Sequence, residues 1–213
     1  MKLALLLLIA YLLGAIPNGV WIGKGFFHTD IRKAGSGNIG TTNTYRVLGP
    51  IAGTAVLILD LAKGTVATLL PVWFLNFHLS QHSPMLLLFG FMAILGHTVS
   101  IFDHFKGGKA VATSAGMLLA YNPLLFVIAA TCFVSLIYLT SMVSLASMVS
   151  FTIITILCFV IQDWYLSALA VCLTIFVFWR HRTNLTRIMN GTENMVSFGL
   201  GNKRRQRQNQ NRN

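Results

Sequence analysis

Residues 35 to 49 read Gly-Ser-Gly-Asn-Ile-Gly-Thr-Thr-Asn-Thr-Tyr-Arg-Val-Leu-Gly. The stretch is polar and glycine-rich, and runs apolar enough to cross a bilayer flank it, at 2 to 23 and 50 to 75. A loop so placed displays its backbone N–H groups, hydroxyls and amides at a membrane edge. Glycines such as Gly37 let successive N–H groups converge on one oxygen anion. Ser36, Asn38, Thr41, Thr42 and Asn43 add neutral donors and acceptors, and Arg46 adds a permanent charge able to hold two oxygens at once. Taken alone, such a segment reads first as a flexible loop. The case for a binding site rests on two further polar clusters assigned to the same side.

Outward from this loop the chain is apolar. Of its 213 residues 55% are hydrophobic and only 10% charged, and its mean hydropathy is +0.69. A soluble domain carries about 25% charged residues, so the reading is an all-α, polytopic membrane protein. The length allows roughly seven spans of about 20 residues with short loops. Any chemistry must then come from helix ends and loops. Spans are expected at 2 to 23, 50 to 75, 84 to 102, 108 to 121, 123 to 140, 145 to 161 and 164 to 180. The fourth is short for ~30 Å of hydrocarbon, and Tyr121-Asn122-Pro123 follows it as a turn signal. Lys2 before a leucine run mimics a secretory leader, but the run is long and lacks an Ala-x-Ala site, so it reads as a first span that stays attached.

A net charge of +11 would suggest nucleic acid in a soluble protein; here it reports topology. With seven spans, segments 24 to 46, 103 to 109 and 180 to 213 share one face and hold four, two and eight Lys and Arg residues. The positive-inside rule makes that face cytoplasmic and puts the N-terminus outside. Residues 1 to 202 form one membrane-embedded domain in this reading. Residues 203 to 213, Lys-Arg-Arg-Gln-Arg-Gln-Asn-Gln-Asn-Arg-Asn, have nothing to bury and read as a disordered basic tail suited to anionic lipid headgroups or to solubility, with no specific nucleic acid as partner. Cys132, Cys158 and Cys172 lie in apolar runs without metal or disulfide spacing.

The second cluster is Phe105-Lys106-Gly107-Gly108-Lys109. Two lysines flank a glycine pair where a helix begins, which suits a phosphate; a plain positive-inside turn reads as well. It is not a P-loop, because Ala110 follows the Gly-Lys. The third is Arg180-His181-Arg182-Thr183-Asn184 through Arg187, then Gly191-Thr192-Glu193. In a helix, His181, Asn184 and Arg187 or Ile188 share a face; His181 can exchange a proton near neutral pH, although a lone histidine beside arginines more often has a structural role. Ser144-Leu145-Ala146-Ser147 offers hydroxyls that either meet a substrate or cap a helix. Asp60 and Lys63, one turn apart inside a span, neutralise each other in a structural role near the site, and Glu193 orders arginines rather than acting as a base. No H-E-x-x-H, G-x-S-x-G or carboxylate cluster occurs, and the residue five after His97 is Phe102, so an H-x-x-x-x-D acyltransferase pattern is missing too. No metal or cofactor is expected.

Asp30-Ile-Arg-Lys-Ala-Gly-Ser-Gly-Asn-Ile-Gly-Thr-Thr-Asn43 with Arg46, Leu95-Gly-His97 leading to Phe105-Lys-Gly-Gly-Lys109, Ser144-Leu-Ala-Ser147, His181-Arg-x-Asn184 and Gly-Thr-Glu193 together resemble the bacterial acyl-phosphate-dependent glycerol-3-phosphate acyltransferases. The resemblance runs in order from about Leu13 to Glu193. It implies a seven-helix enzyme of the bacterial cytoplasmic membrane, with its site on the cytoplasmic face, that passes a fatty acyl group from acyl phosphate to glycerol 3-phosphate. It also implies a soluble enzyme that makes the acyl phosphate. An acyl phosphate already carries a good leaving group, so such a site needs anion binding and orientation more than a nucleophile. On this reading Arg46, Lys106, Lys109 and the Gly107 and Gly108 amides hold the phosphates, while Ser36, Asn38 and Asn43 with Gly37 and Thr42 shape the cradle. Ser144 and Ser147 line the site, and His181 and Asn184 position the glycerol hydroxyl.

This chain departs from the family pattern at four places. Val99-Ser100 stand where Phe-Pro is usual, Ala110 stands for a glycine, Ser141-Met142 for Arg-Tyr, and Thr183 for a glutamate. A transporter or channel for an anionic metabolite is the alternative, although its site would be expected at mid-membrane. A third reading makes the basic tail a recruiter of a soluble partner. Against it, removal of residues 203 to 213 is expected to leave catalysis intact.

Overall fold

The computed structural model describes residues 1–77 and 83–210. Helices dominate them, and their one β-feature is a bridge between Ser100 and Lys106. The chain divides into two compact units, Met1–Leu124 and Leu125–Asn213.

In the first unit α1 (Lys2–Ala15) and α2 (Asn18–Phe27) replace the single span expected at 2 to 23. Pro17 supplies no N–H and disfavours a helical residue before it, and the pair bends by 49°. A 3₁₀ turn (Ile31–Lys33) and α3 (Thr41–Leu48) follow. Helix α4 (Pro50–Leu75) matches the expected bounds, with Pro50 at its start where the missing N–H costs nothing. Helix α5 (Pro84–Thr98) stops short of the expected 102. The departure Ser100 accounts for this: its hydroxyl donates to Ala15 O and accepts from Phe102 N (3.2 Å), turning the chain into a second 3₁₀ turn, Ile101–Asp103. A proline there has no hydroxyl to do so. Helix α6 (Val111–Tyr121) begins after the glycine pair rather than at 108.

Small residues let these helices approach, as apolar bundles require. A Cβ on Gly64 would strike Thr113 O, and one on Gly116 would strike Leu61 O, so α4 and α6 meet backbone to backbone. Gly14 and Gly96 do the same for α1 and α5. Leu6, Ala10, Ala67, Leu70, Phe89 and Ala93 fill the core between α1, α4 and α5.

The second unit comprises α7 (Pro123–Thr140, starting at the boundary), α8 (Val143–Val160), α9 (Trp164–Arg180), α10 (Arg182–Met189) and α11 (Leu200–Gln210). Asp163 caps α9 by accepting Leu166 N at 3.0 Å. Thr155 and Thr174 hydroxyls bond across α8 and α9 at 2.8 Å. Helices α9 and α10 bend by 61° at His181. Composition points to disorder over 203 to 213, yet up to Gln210 the segment is helical, since Lys, Arg and Gln are good helix formers and several contacts anchor its start. Residues 211–213 lie outside the described residues.

Among the described residues α4, α7 and α8 are long and apolar enough to cross a membrane, or five segments are if each bent pair counts as one. Helices α5 and α6 are apolar but shorter.

Candidate functional site

The glycine loop of the first unit is built on Asn43. Its side chain is buried at 1% exposure. Oδ1 accepts Ser36 N (2.8 Å), and Nδ2 donates to Ile31 O (2.9 Å) and Ala34 O (3.1 Å). Asn43 thus uses its amide to shape the loop from within. Gly35 sits at φ +62 with Asn43 Oδ1 where a Cβ would be, so neither its backbone nor the space admits a side chain. Asn38 Oδ1 accepts Gly40 N (2.9 Å), closing the turn that launches α3. Ser36, Gly37 and Arg46 are left exposed, and Thr42 shares the face of Arg46 one turn away. Thr41 Oγ1 is buried without a hydrogen-bond partner among the described residues.

The loop after α5 is held against its end. Gly108 N donates to His97 O (3.1 Å); a Cβ on Gly107 would meet His97 O, and one on Gly108 the His97 ring. The glycine pair therefore serves close packing on α5. Lys106 is exposed and Lys109 half-buried. Ala110 takes the left-handed conformation (φ 56) just before α6, which explains why glycine is the usual residue there.

Arg32 and Asp103 join the two loops. The Arg32 guanidinium donates from Nε to Asp30 Oδ1 (2.8 Å), from Nη2 to Asp30 Oδ2 (2.5 Å), and from Nη1 to Asp103 Oδ1. The Arg32 bond, aided by its charge and that of Lys24, holds the Asp30 carboxyl well below the usual range despite some desolvation, and the two carboxylates push the Arg32 guanidinium higher still. Sequence reasoning assigned neither Arg32 nor Asp103 a role. The available signal was that Asp103 is one of only five acids in the chain.

Beneath the loops, buried Asp60 Oδ1 accepts from Lys63 Nζ (2.9 Å) and Asn18 Nδ2 (2.9 Å), with His97 Nδ1 at 3.9 Å. Lys63 Nζ also donates to Ile16 O (2.8 Å), a carbonyl freed by the break at Pro17. This pair fastens the α1–α2 bend to α4.

In the second unit Glu193 is the centre. Its Oε1 accepts from Ser144 Oγ (2.8 Å) and Asn184 Nδ2 (2.7 Å), and its Oε2 from Arg187 Nε (3.0 Å). Burial to 3% exposure pushes this carboxyl up, but the bonds from Asn184, Ser144 and Arg187 outweigh it and bring it below the ordinary value. His181 is buried, with Nδ1 2.8 Å from Val177 O. A carbonyl only accepts, so Nδ1 carries the proton and Nε2 is the basic nitrogen of the neutral ring. Ser147 Oγ bonds to Val143 O (2.8 Å) within its own helix. The helical spacing expected of His181, Asn184 and Arg187 is realised at the α9–α10 bend.

The chain matches the family model for glycerol-3-phosphate acyltransferase over residues 4–191. It is 70% identical over 207 residues to a glycerol-3-phosphate acyltransferase of Levilactobacillus brevis, covering 97% of this chain and 99% of that one. It is 61% identical over 210 residues to one of Lactiplantibacillus plantarum, covering 98% and 99%. The fold is similar to a crystal structure of PlsY, an integral membrane glycerol 3-phosphate acyltransferase, in its glycerol 3-phosphate form: TM-score 0.85 at 32% identity, over 92% of this chain and 96% of that one.

Proposed function

This chain belongs to the glycerol-3-phosphate acyltransferase family, and on that premise we propose that it transfers a fatty acyl group from acyl phosphate to the first hydroxyl of glycerol 3-phosphate. The hydroxyl oxygen forms the new ester bond to the acyl carbon, the carbon–oxygen bond of the mixed anhydride breaks, and inorganic phosphate leaves with lysophosphatidic acid as product. The hydroxyl proton passes to His181 Nε2 or to the departing phosphate. The observation that carries the reading is the Arg32 tie between two glycine loops, in and beside which Ser36, Gly37, Arg46 and Lys106 are exposed. Donors of this kind suit anionic oxygens such as those of a phosphate leaving group.

Arg46, Lys106 and Lys109 hold phosphate; Asn38, Asn43 and the glycines set the loop that presents Ser36. Asn184, oriented by Glu193, directs the acceptor hydroxyl alongside His181, and Ser144 supports Glu193. The enzyme crosses the bacterial cytoplasmic membrane seven times, through α1–α2, α4, α5, α6, α7, α8 and α9, with its basic loops in the cytoplasm. A soluble acyl-phosphate-forming enzyme supplies the donor.

The test is purified protein in detergent with glycerol 3-phosphate and, separately, acyl phosphate, acyl-CoA or acyl carrier protein. Lysophosphatidic acid formed with acyl phosphate alone supports the proposal. Turnover with a thioester alone removes the donor assignment, and silence with all three from folded protein removes the reaction.

A further inference from the structure

The C-terminal segment makes contacts that the proposed chemistry does not use. Ser141, fully buried and left-handed (φ 59) between α7 and α8, donates from Oγ to Phe198 O (2.8 Å) and accepts Asn202 N (2.9 Å). Its carbonyl accepts Val196 N (2.8 Å). A Cβ on Gly199 would crowd Tyr138 O and Ser141 Oγ, and one on Gly201 would strike Thr140 O. The start of α11 is thus seated on the α7–α8 turn. One turn further, Arg205 reaches back: Nη1 donates to Glu193 O (3.0 Å) and Nη2 to Gly191 O (2.7 Å). Lys203, Arg204 and Arg207 on the same helix are exposed, whereas Arg205 is half-buried.

We propose that α11 is a latch and Arg205 a positioning residue: seated through Ser141, it pins the Gly191–Glu193 loop and so keeps the Glu193 carboxylate on Ser144 and Asn184. Ser144 and Asn184 stand on helices α8 and α10, but Glu193 stands in a loop that follows Gly191 at φ +68. A planar guanidinium bonded to two carbonyls two residues apart fixes the orientation of that loop, as a lysine's single point charge does not. Ser141, which stands for an arginine of the family pattern, is the hydroxyl that seats the latch. On this proposal residues 203 to 213, expected from the sequence to be dispensable for catalysis, contribute to it through Arg205.

The inference rests on the reading that Asn184 directs the acceptor hydroxyl, so its test carries two readouts. Hydrogen exchange over residues 191–205 and separate KM values for the two substrates are measured for the full chain, Arg205→Ala, Arg205→Lys, a chain ending at Asn202, and a triple Lys203→Gln, Arg204→Gln, Arg207→Gln variant. The latch predicts about tenfold faster exchange confined to the 191–205 region for Arg205→Ala and to residues 191–202 for the shortened chain. It predicts a three- to tenfold higher KM for glycerol 3-phosphate, that for acyl phosphate staying within about twofold. Arg205→Lys recovers part of both effects, and the triple variant behaves as the parent. Unchanged exchange in Arg205→Ala and the shortened chain, faster exchange spread through α8 and α9, or equal losses in the triple variant overturn the latch, the last pointing to bulk charge on lipid headgroups. If the parent protein turns over no donor, the acyl-transfer reading fails, and exchange alone still decides the latch.

Discussion

At the scale of single residues, chemistry visible in the sequence is redistributed by hydrogen bonding. Asn43 carries a side chain suited to a ligand, yet all three of its bonds run to backbone atoms of its own loop. Nothing in the spacing announces this, because Ile31 and Ser36 come to Asn43 through turns with no periodic signature. Glu193 was legible as a rare acid near arginines; its role as acceptor for Ser144 was not, since that residue lies 49 positions away. Its lowered pKa sets the sign of a pH effect. A depressed carboxyl contributes stability that is present above its ordinary value of 4.5 and lost as pH falls through the lower folded value. Glu193→Gln should therefore destabilise the protein by about 1–3 kcal/mol at neutral pH, and the gap in thermal midpoint between it and the parent should shrink below pH 4.5. A gap constant down to pH 3 would mean that the carboxylate's charge is not what the site uses. Ala110 gives the opposite kind of prediction. A left-handed alanine costs roughly 1–2 kcal/mol, part of which the entropy of glycine offsets, so Ala110→Gly should raise the thermal midpoint by about 2–4 °C. No rise would mean that the α6 start relaxes around alanine.

At the scale of elements, existence was more legible than ends. Helices α4, α7 and α9 have the expected bounds because Pro50, Pro123 and the Asp163 cap start them with signals local to the chain. The shortened α5 and late α6 depend on Ser100 reaching Ala15 and on Gly108 reaching His97, contacts between residues far apart or across a turn. The helix over 200–210 depends on Ser141, a residue whose polar character looked like a simple loss of arginine. Close packing of α4 on α6 yields a paired test. Gly116→Ala puts a methyl against Leu61 O and should cost about 1–3 kcal/mol or more. Gly25→Ala, in a helix with nothing within 4 Å of its Cβ, should gain about 0.5–1 kcal/mol. Thermal unfolding in one detergent compares them directly, and equal shifts would show that α4 and α6 do not rely on backbone contact.

At the scale of the whole molecule, the distribution of charge argues for one orientation. Fourteen of sixteen Lys and Arg residues lie in segments 24 to 46, 103 to 109 and 180 to 213, and an even number of crossings between each segment and the next is required to put all three on one side. Among the described residues three helices satisfy a crossing by length and apolarity and two more arise if each bent pair is one span; α5 and α6 are apolar but shorter, and the proposed total of seven counts both. Length alone leaves α5 and α6 undecided, because 15 and 11 residues rise only about 22 and 16 Å at 1.5 Å each, short of ~30 Å. Flanking segments make up part of the difference, since α5 is followed closely by the Ile101–Asp103 turn and α6 is preceded by non-helical chain from Gly107. Single cysteines in a background lacking Cys132, Cys158 and Cys172 decide the matter. With an impermeant thiol reagent applied to intact cells, Gln162→Cys and Asn122→Cys serve as probes: Gln162 lies in an α8–α9 connection assigned to the outside, and Asn122 in an α6–α7 connection assigned there too. Lys33→Cys and Arg204→Cys should react only after the membrane is opened. Labelling of Gln162→Cys but not Asn122→Cys would mean that neither α6 nor α7 crosses, leaving five crossings with the basic segments still on one face; labelling of neither, with Arg204→Cys reactive on intact cells, would mean that α6 and α7 make a single crossing, and the basic segments would then lack a common cytoplasmic face.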